Sequence, residues 1–120
     1  MQYSGKPDQV LQLDRSIRYC AVGKKLGSVL NSEVRANLNP LLKPEGFRKC
    51  ALLAIRHKTR TGLEEKLGRA WCVVAYYEKV ILASMELADN DLLLVTVDAR
   101  AKNFQGIMRK VLGLIKYAQP

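Results

Sequence analysis

Residues 71–98 read WCVVAYYEKVILASMELADNDLLLVTVD, and this stretch decides the fold. It divides into three runs rich in β-branched, aromatic and aliphatic residues, at 71–80, 81–87 and 92–98. A reversal is expected at Glu78-Lys79, near the end of the first run. A second is expected at Asp89-Asn90-Asp91, between the last two runs, because Asn and Asp readily adopt turn conformations. We therefore predict three consecutive strands. The unbroken apolar run 92–97 is typical of a strand at the centre of a sheet.

The sequence before this stretch predicts a helix, a hairpin and a second helix. Pro7 and Asp8 favour a helix start, and the apolar spacing predicts that this helix continues to near Arg18. Residues 19–22 and 28–31 then read as two strands joined by the glycine-bracketed turn 23–27. A helix follows over residues 44–60, with Phe47 and Cys50 on its inward side. A short helix at 63–67 ends at Gly68.

The sequence after it predicts one amphipathic helix. Asp98 is the expected N-cap residue. The apolar residues that follow repeat at intervals of three and four, which marks one helix face; they are Phe104, Ile107, Met108, Val111, Leu112 and Ile115. The fold class is therefore α+β, a five-stranded antiparallel sheet flanked by helices. Its order is helix-strand-strand-helix-strand-strand-strand-helix, in one domain over residues 1–120.

The composition is that of an ordinary globular protein with an excess of positive charge. The chain has 120 residues, of which 48% are hydrophobic. It carries 20 basic and 11 acidic residues, for a net charge of +9. This charge would attract nucleic acid, anionic lipid or an acidic protein surface. No apolar run reaches the roughly 18 residues that cross a bilayer, and the N-terminus lacks a signal peptide's apolar core, so we predict a cytoplasmic protein without membrane contact.

No residue pattern predicts catalysis, a metal or a cofactor. Cys20, Cys50 and Cys72 lie singly in apolar runs and are expected to be buried hydrophobes. His57 lies between Arg56 and Lys58. Their positive charges disfavour the protonated imidazole that a general base must become, so His57 is a poor candidate for that role. The glycines and lysines at 23–27 do not have the spacing of a phosphate-binding loop. We expect a protein that is not an enzyme and has no cofactor.

Basic residues concentrate between positions 43 and 69, a segment that contains eight basic and three acidic residues. The residues predicted to form this basic surface are Arg48, Lys49, Arg56, Lys58 and Arg60. One hypothesis is a surface that contacts nucleic-acid phosphates. The other is a solvated helix face on a basic protein, which we favour because no helix-turn-helix pattern or aromatic row accompanies the charge.

The order of elements resembles that of roadblock / dynein light-chain domains, which are related to longin and profilin folds. The resemblance covers residues 7–117. Two segments, 13–22 and 77–96, are also similar to a small archaeal domain family without assigned activity. The roadblock resemblance implies a homodimer formed through the edge strand, here 71–77, and the helix 44–60. The expected dimer-interface residues are Trp71, Val73, Ala75 and Tyr77.

Roadblock proteins commonly act as non-catalytic regulators or scaffolds for small Ras-like GTPases. The resemblance therefore implies a homodimeric module that binds another protein, such as a small GTPase or another acidic protein. The strongly basic central helix departs from that pattern. Two alternatives remain: a nucleic-acid-binding protein that uses the central helix, and a profilin- or PAS-like ligand sensor with a pocket between the sheet and that helix.

Overall fold

A computed structural model describes residues 6–24, 29–35, 46–50, 52, 63–68, 72–87 and 91–115. The helices are α1 (Lys6–Leu11), α2 (residues 46–50 and 52), α3 (Glu64–Leu67) and α4 (Phe104–Ile115). The strands are β1 (Ile17–Lys24), β2 (Val29–Val34), β3 (Cys72–Tyr76), β4 (Val80–Glu86) and β5 (Asp91–Asp98). The predicted order of elements is confirmed over these residues.

The five strands form one antiparallel sheet in the order β2-β1-β5-β4-β3. β5 lies in the middle and is buried along almost its whole length, as its continuous apolar run predicts. β1 and β5 pair from Ile17 opposite Val97 to Lys24 opposite Asp91. The centre of the sheet therefore joins residues from opposite ends of the chain.

The sheet has a core on each face. One face, here called the α4 face, carries β-strand side chains packed with Val10 of α1 and with Ile107, Val111 and Ile115 of α4. The other, the α2 face, carries a smaller cluster that includes Phe47 and Cys50. Because side chains alternate along each strand, the three inner strands β1, β4 and β5 contribute to both cores.

The first helix is shorter than its apolar spacing predicts. α1 ends at Leu11, and Ile17, expected on the helix, is the first residue of β1. The Asp14 carboxylate accepts a hydrogen bond from the Ser16 N–H at 2.8 Å, which stabilises a turn in place of further helix. Ile17 then pairs with Val97 in the sheet, so a long-range contact overrides the local pattern.

Arg35, which follows β2, fixes this turn from a distance. Its Nε donates to the Ile17 carbonyl oxygen at 2.6 Å, and its Nη2 donates to the carbonyl oxygens of Leu11 and Asp14. α1 has no basic residue in its own last turn. The Arg35 guanidinium therefore supplies the positive charge that the carboxyl end of a helix favours.

The ends of the later elements also differ in part from expectation. β3 spans Cys72–Tyr76, shorter than the predicted 71–80, because the Tyr77 N–H donates to the Val80 carbonyl across the turn at Glu78-Lys79. The predicted cap at Asp98 is wrong. The turn at 99–102 delays the helix, and the Asn103 side chain accepts a hydrogen bond from the Gly106 N–H at 3.3 Å. Gly68 ends α3 with a φ of 88°, as predicted for a left-handed helix terminus.

Candidate interaction edge of the sheet

β3 is an edge strand. It pairs with β4 from Cys72 opposite Met85 to Tyr76 opposite Ile81, and none of the described strands lies beyond it. Within the described part of the chain, no strand pairs with the N–H and C=O groups on its outer side, which is the side that a further strand would use. Apolar residues on both faces of a strand are typical of one that is covered on both sides or lies at a subunit contact. The sheet order places β3 at an edge, and a subunit contact there stays a prediction.

Two of the predicted dimer-interface residues point to the α2 face. Val73 and Ala75 lie opposite Ser84 and Leu82 of β4 and are partly buried. Tyr77, just after the strand, is 52% exposed. Trp71 lies outside the described residues. The structure therefore brings three of the four to the edge of the sheet, and their role in an interface stays a prediction.

The more exposed apolar side chains of β3 are on the opposite face and are not among the four predicted interface residues. Val74 is 37% exposed and Tyr76 is 73% exposed. They lie opposite Ala83 and Ile81, whose side chains belong to the α4-face core. Alternation along the strand predicted their common face, but only the sheet order shows that they lie at an edge.

The predicted basic surface is described only in part. Arg48 and Lys49 are exposed on α2, while Phe47 and Cys50 of the same helix are buried against the sheet, as predicted. Leu52 is 46% exposed. Arg56, Lys58 and Arg60 lie outside the described residues, so their position relative to Arg48 and Lys49 stays a prediction.

A charged cluster lies at the end of β5. The Asp98 carboxylate accepts hydrogen bonds from the backbone and side chain of Arg100 and lies 3.6 Å from an Arg18 nitrogen. The hydrogen bonds from Arg100, assisted by the charge of Arg18, hold the pKa of Asp98 below its usual value. A shallow depression of about 290 Å³ borders this cluster and is lined by Arg18, Glu78, Lys79, Asp98, Ala99 and Arg100.

A second ion pair lies at the opposite end of the β1–β5 ladder. The Lys24 Nζ is 2.7 Å from an oxygen of Asp91, whose side chain is fully buried. Lys24 and Asp91 are direct partners in the sheet. A buried carboxylate needs such a partner, so this pair joins β1 to β5 at the point where β5 begins.

The described cysteines have the properties of core residues. Cys20 and Cys50 are buried, Cys72 is partly buried, and all three are free thiols. Burial raises the pKa of each thiol, to about 11 for Cys72. Reactive cysteines have lowered pKa values, so this chemistry does not resemble that of a nucleophile. His57 lies outside the described residues, and those that are described contain no group of three potential metal ligands.

A run of basic residues after Asp98 was not singled out from the sequence. Residues 99–120 carry five basic residues and no acidic one. Four of them are described and exposed: Arg100, Lys102, Arg109 and Lys110. The signal that could have found them is the absence of acidic residues from the whole segment. None of the described helices has the length and apolar character that a membrane crossing requires.

Comparison with known proteins identifies the fold. No protein-family model and no curated protein matches the chain. Solved structures do match. Gliding protein MglB from Thermus thermophilus superposes with a TM-score of 0.72 at 17% identity, covering 87% of this chain and 78% of that one. An MglB structure with a tetrameric arrangement gives 0.74 at 18% identity, covering 93% and 84%.

A third structure bears the family name. The Roadblock/LC7 domain from Streptomyces avermitilis gives a TM-score of 0.65 at 13% identity, covering 95% of this chain and 94% of that one. These likenesses, together with the five-stranded sheet, confirm the roadblock-like fold predicted from the sequence. The identities are too low to carry more than the fold.

Proposed function

We propose that this chain, as one domain over residues 1–120, is a non-catalytic homodimeric module that binds another protein in the cytoplasm. The observation that carries the proposal is the open edge of β3, with partly exposed apolar side chains on both of its faces. An edge strand that no other described strand covers invites pairing with a further strand. The roadblock-like fold supports the same edge as the contact, because the resemblance implies dimerisation there.

A two-fold dimer would pair β3 with β3 of a second copy in antiparallel fashion, so that each interface residue meets its counterpart across the axis. Val73, Ala75 and Tyr77 would then line the α2 side of the seam, where Trp71 is also expected. The tetrameric arrangement of one matched MglB structure supports self-association in proteins of this fold. The net charge of +9 on each copy opposes the pairing at long range.

This charge gives the dimer a diagnostic salt dependence. Added salt screens the repulsion between two positively charged copies, so dimerisation should strengthen from low to high salt. Binding of nucleic acid through Arg48, Lys49, Arg56, Lys58 and Arg60 would show the opposite trend, because salt displaces phosphate contacts. The two functions therefore predict salt effects of opposite sign.

Light scattering coupled to size-exclusion chromatography tests the dimer. We expect a mass of twice the 13.5 kDa chain. Val73→Glu, which places a charge at the seam, should yield monomer. Ser32→Glu is the matched control, because Ser32 is exposed on β2 at the other edge of the sheet. A Val73→Glu protein that remains dimeric would contradict the assignment of β3 as the interface.

The candidate partner class is a small Ras-like GTPase, as the resemblance to roadblock domains implies. A pull-down with such a GTPase, loaded with GDP or with a GTP analogue, should retain the wild type and release Val73→Glu if the dimer forms the binding surface. The absorbance ratio of the purified protein reports bound nucleic acid at the same time. The ligand-sensor alternative stays a prediction, because much of the region between the sheet and α2 lies outside the described residues.

A further inference from the structure

The α4 face carries an apolar strip beside the open edge. Val74 and Tyr76 of β3 form one side of it, with 37% and 73% of their surfaces exposed. Three residues of α4 form the other side and are partly buried against the core: Phe104, Met108 and Leu112. They are spaced four apart, so they follow one line along the helix. We call these five residues the β3–α4 strip.

The two sides of the strip are in contact at one end. The rings of Tyr76 and Phe104 have centroids 6.0 Å apart and meet edge to face at 61°. α4 continues from Phe104 through Met108 and Leu112, which pack against the same α4-face core as Cys72 of β3. The strip therefore combines two exposed strand side chains with three partly buried helix side chains.

Positive charge surrounds the strip. Lys102 is exposed just before α4, and Arg109 is exposed beside Met108 and one turn from Leu112. Lys79 is exposed in the turn that follows Tyr76. Among the described residues, the exposed acidic residue nearest in sequence to Tyr76 is Glu78, next to Lys79. The segment 99–120 adds no acidic residue at all. A ligand that covers the apolar side chains would thus meet mainly cations.

The combination of apolar side chains and surrounding positive charge favours some ligands of the strip over others. A second copy stacked on the α4 face, as opposed to one paired at the β3 edge, would bring the same positive charges to the strip, and like charges facing each other disfavour that contact. Insertion into a bilayer needs a broad apolar surface, and three of these five side chains are partly buried against the core. A short polypeptide segment can place apolar side chains into the strip and carboxylates against its cationic rim.

We propose that the β3–α4 strip docks a short acidic segment of another protein, one that also carries apolar side chains. The site lies on the opposite face of the sheet from Val73 and Ala75. In the dimer proposed above, Val74 and Tyr76 would flank the seam on that face, and α4 would supply the rest of the site. Tyr76 is the central anchor, because a large, exposed aromatic ring with a polar tip is the kind of residue that dominates peptide interfaces. The strip is small, so the affinity should be on the order of micromolar.

Selection from a displayed library of random short peptides tests the proposal. Peptides that bind the wild type are counter-selected on a Val74→Ser/Tyr76→Ser variant, and the survivors are sequenced. We expect survivors with more acidic than basic residues and with large apolar residues. Their binding, measured by fluorescence anisotropy, should weaken about tenfold or more in Tyr76→Ser and in Arg109→Glu. Arg48→Glu on the α2 face is the matched control and should bind them normally.

Three results would overturn the proposal: no survivors, survivors without an acidic excess, or survivors that bind Tyr76→Ser as well as the wild type. Single-stranded oligonucleotides and anionic phospholipid vesicles are assayed in parallel, and binding of either through Tyr76 and Arg109 in place of peptide would also overturn it. Circular dichroism verifies that each variant is folded. Light scattering reports the oligomeric state of each, so a loss of peptide binding is distinguished from a failure of the proposed dimer.

Discussion

Replacing Arg35 with Met should destabilise the protein strongly, although Arg35 lies outside every described helix and strand. Its guanidinium donates hydrogen bonds to three carbonyl oxygens, those of Leu11, Asp14 and Ile17. A hydrogen bond with a charged donor contributes roughly 1.5–3 kcal/mol, and bonds that share one side chain are not additive. Because the site is only partly buried, water can replace some of the lost donors. We expect a loss of about 2–4 kcal/mol in the free energy of unfolding.

Such a loss is large for a domain whose total stability is of order 5–15 kcal/mol. Urea unfolding followed by circular dichroism measures it, and the thermal midpoint should fall by about 10 °C. Arg35→Lys keeps the charge but not the planar fork, so it should be intermediate. Arg15→Met is the matched control, because Arg15 is exposed in the same turn, and it should change stability by less than about 0.5 kcal/mol. An Arg35→Met loss no larger than that of Arg15→Met would refute the reasoning.

Other expectations follow from charge, burial and helix geometry. Asp98→Asn should destabilise the protein above about pH 4. Because the pKa of Asp98 is lowered, its stabilising contribution is present at high pH and lost on protonation, so the difference from the wild type should shrink as pH falls. Urea unfolding at several pH values measures this difference. The Cys72 thiol, with its pKa near 11, should react with a thiol reagent at pH 8 more slowly than free cysteine does, and full unfolding should abolish the difference. Gly113→Ala should stabilise the protein by about 0.5–1 kcal/mol, since the helix position is exposed and open. Gly106→Ala should gain less, because its new methyl group would meet the capping Asn103 side chain; equal midpoints for the two in urea would contradict this.

The parts of the fold that depend on local pattern were predictable. The apolar run of β5 identified the central strand, and the spacing of residues in α4 identified its buried face. The end of α1 was not predictable in the same way. Val10, Leu13 and Ile17 fit a helix by spacing, yet Ile17 belongs to β1 because its partner is Val97, far along the chain.

The candidate site depended on sheet order, which the sequence does not specify. Both faces of β3 carry apolar residues, and a covered strand and an edge strand share that pattern. In the part of the chain that the structure describes, β3 pairs with β4 and with no other strand, and this places Val74 and Tyr76 at an edge of the sheet. The predicted basic surface rests on the excess of basic residues along one helix. The segment after Asp98 carries a similar signal, because it contains basic residues and no acidic one. Arg35 gave no local signal, because its role arises from carbonyl groups about twenty residues earlier.

The pairing of β1 with β5 has a consequence for folding during synthesis on the ribosome. The β1–β2 hairpin is synthesised early, but its inner edge stays unsatisfied until residues 91–98 have been made. A two-stranded hairpin alone is at best marginally stable in water. The nascent chain therefore cannot complete its core one strand at a time. The decisive step is the pairing of β1 with β5, which closes a loop over most of the polypeptide. Closure of such a loop is slow relative to local folding. A chain released before β5 is complete would expose two unpaired strand edges and become a target for chaperones or proteases.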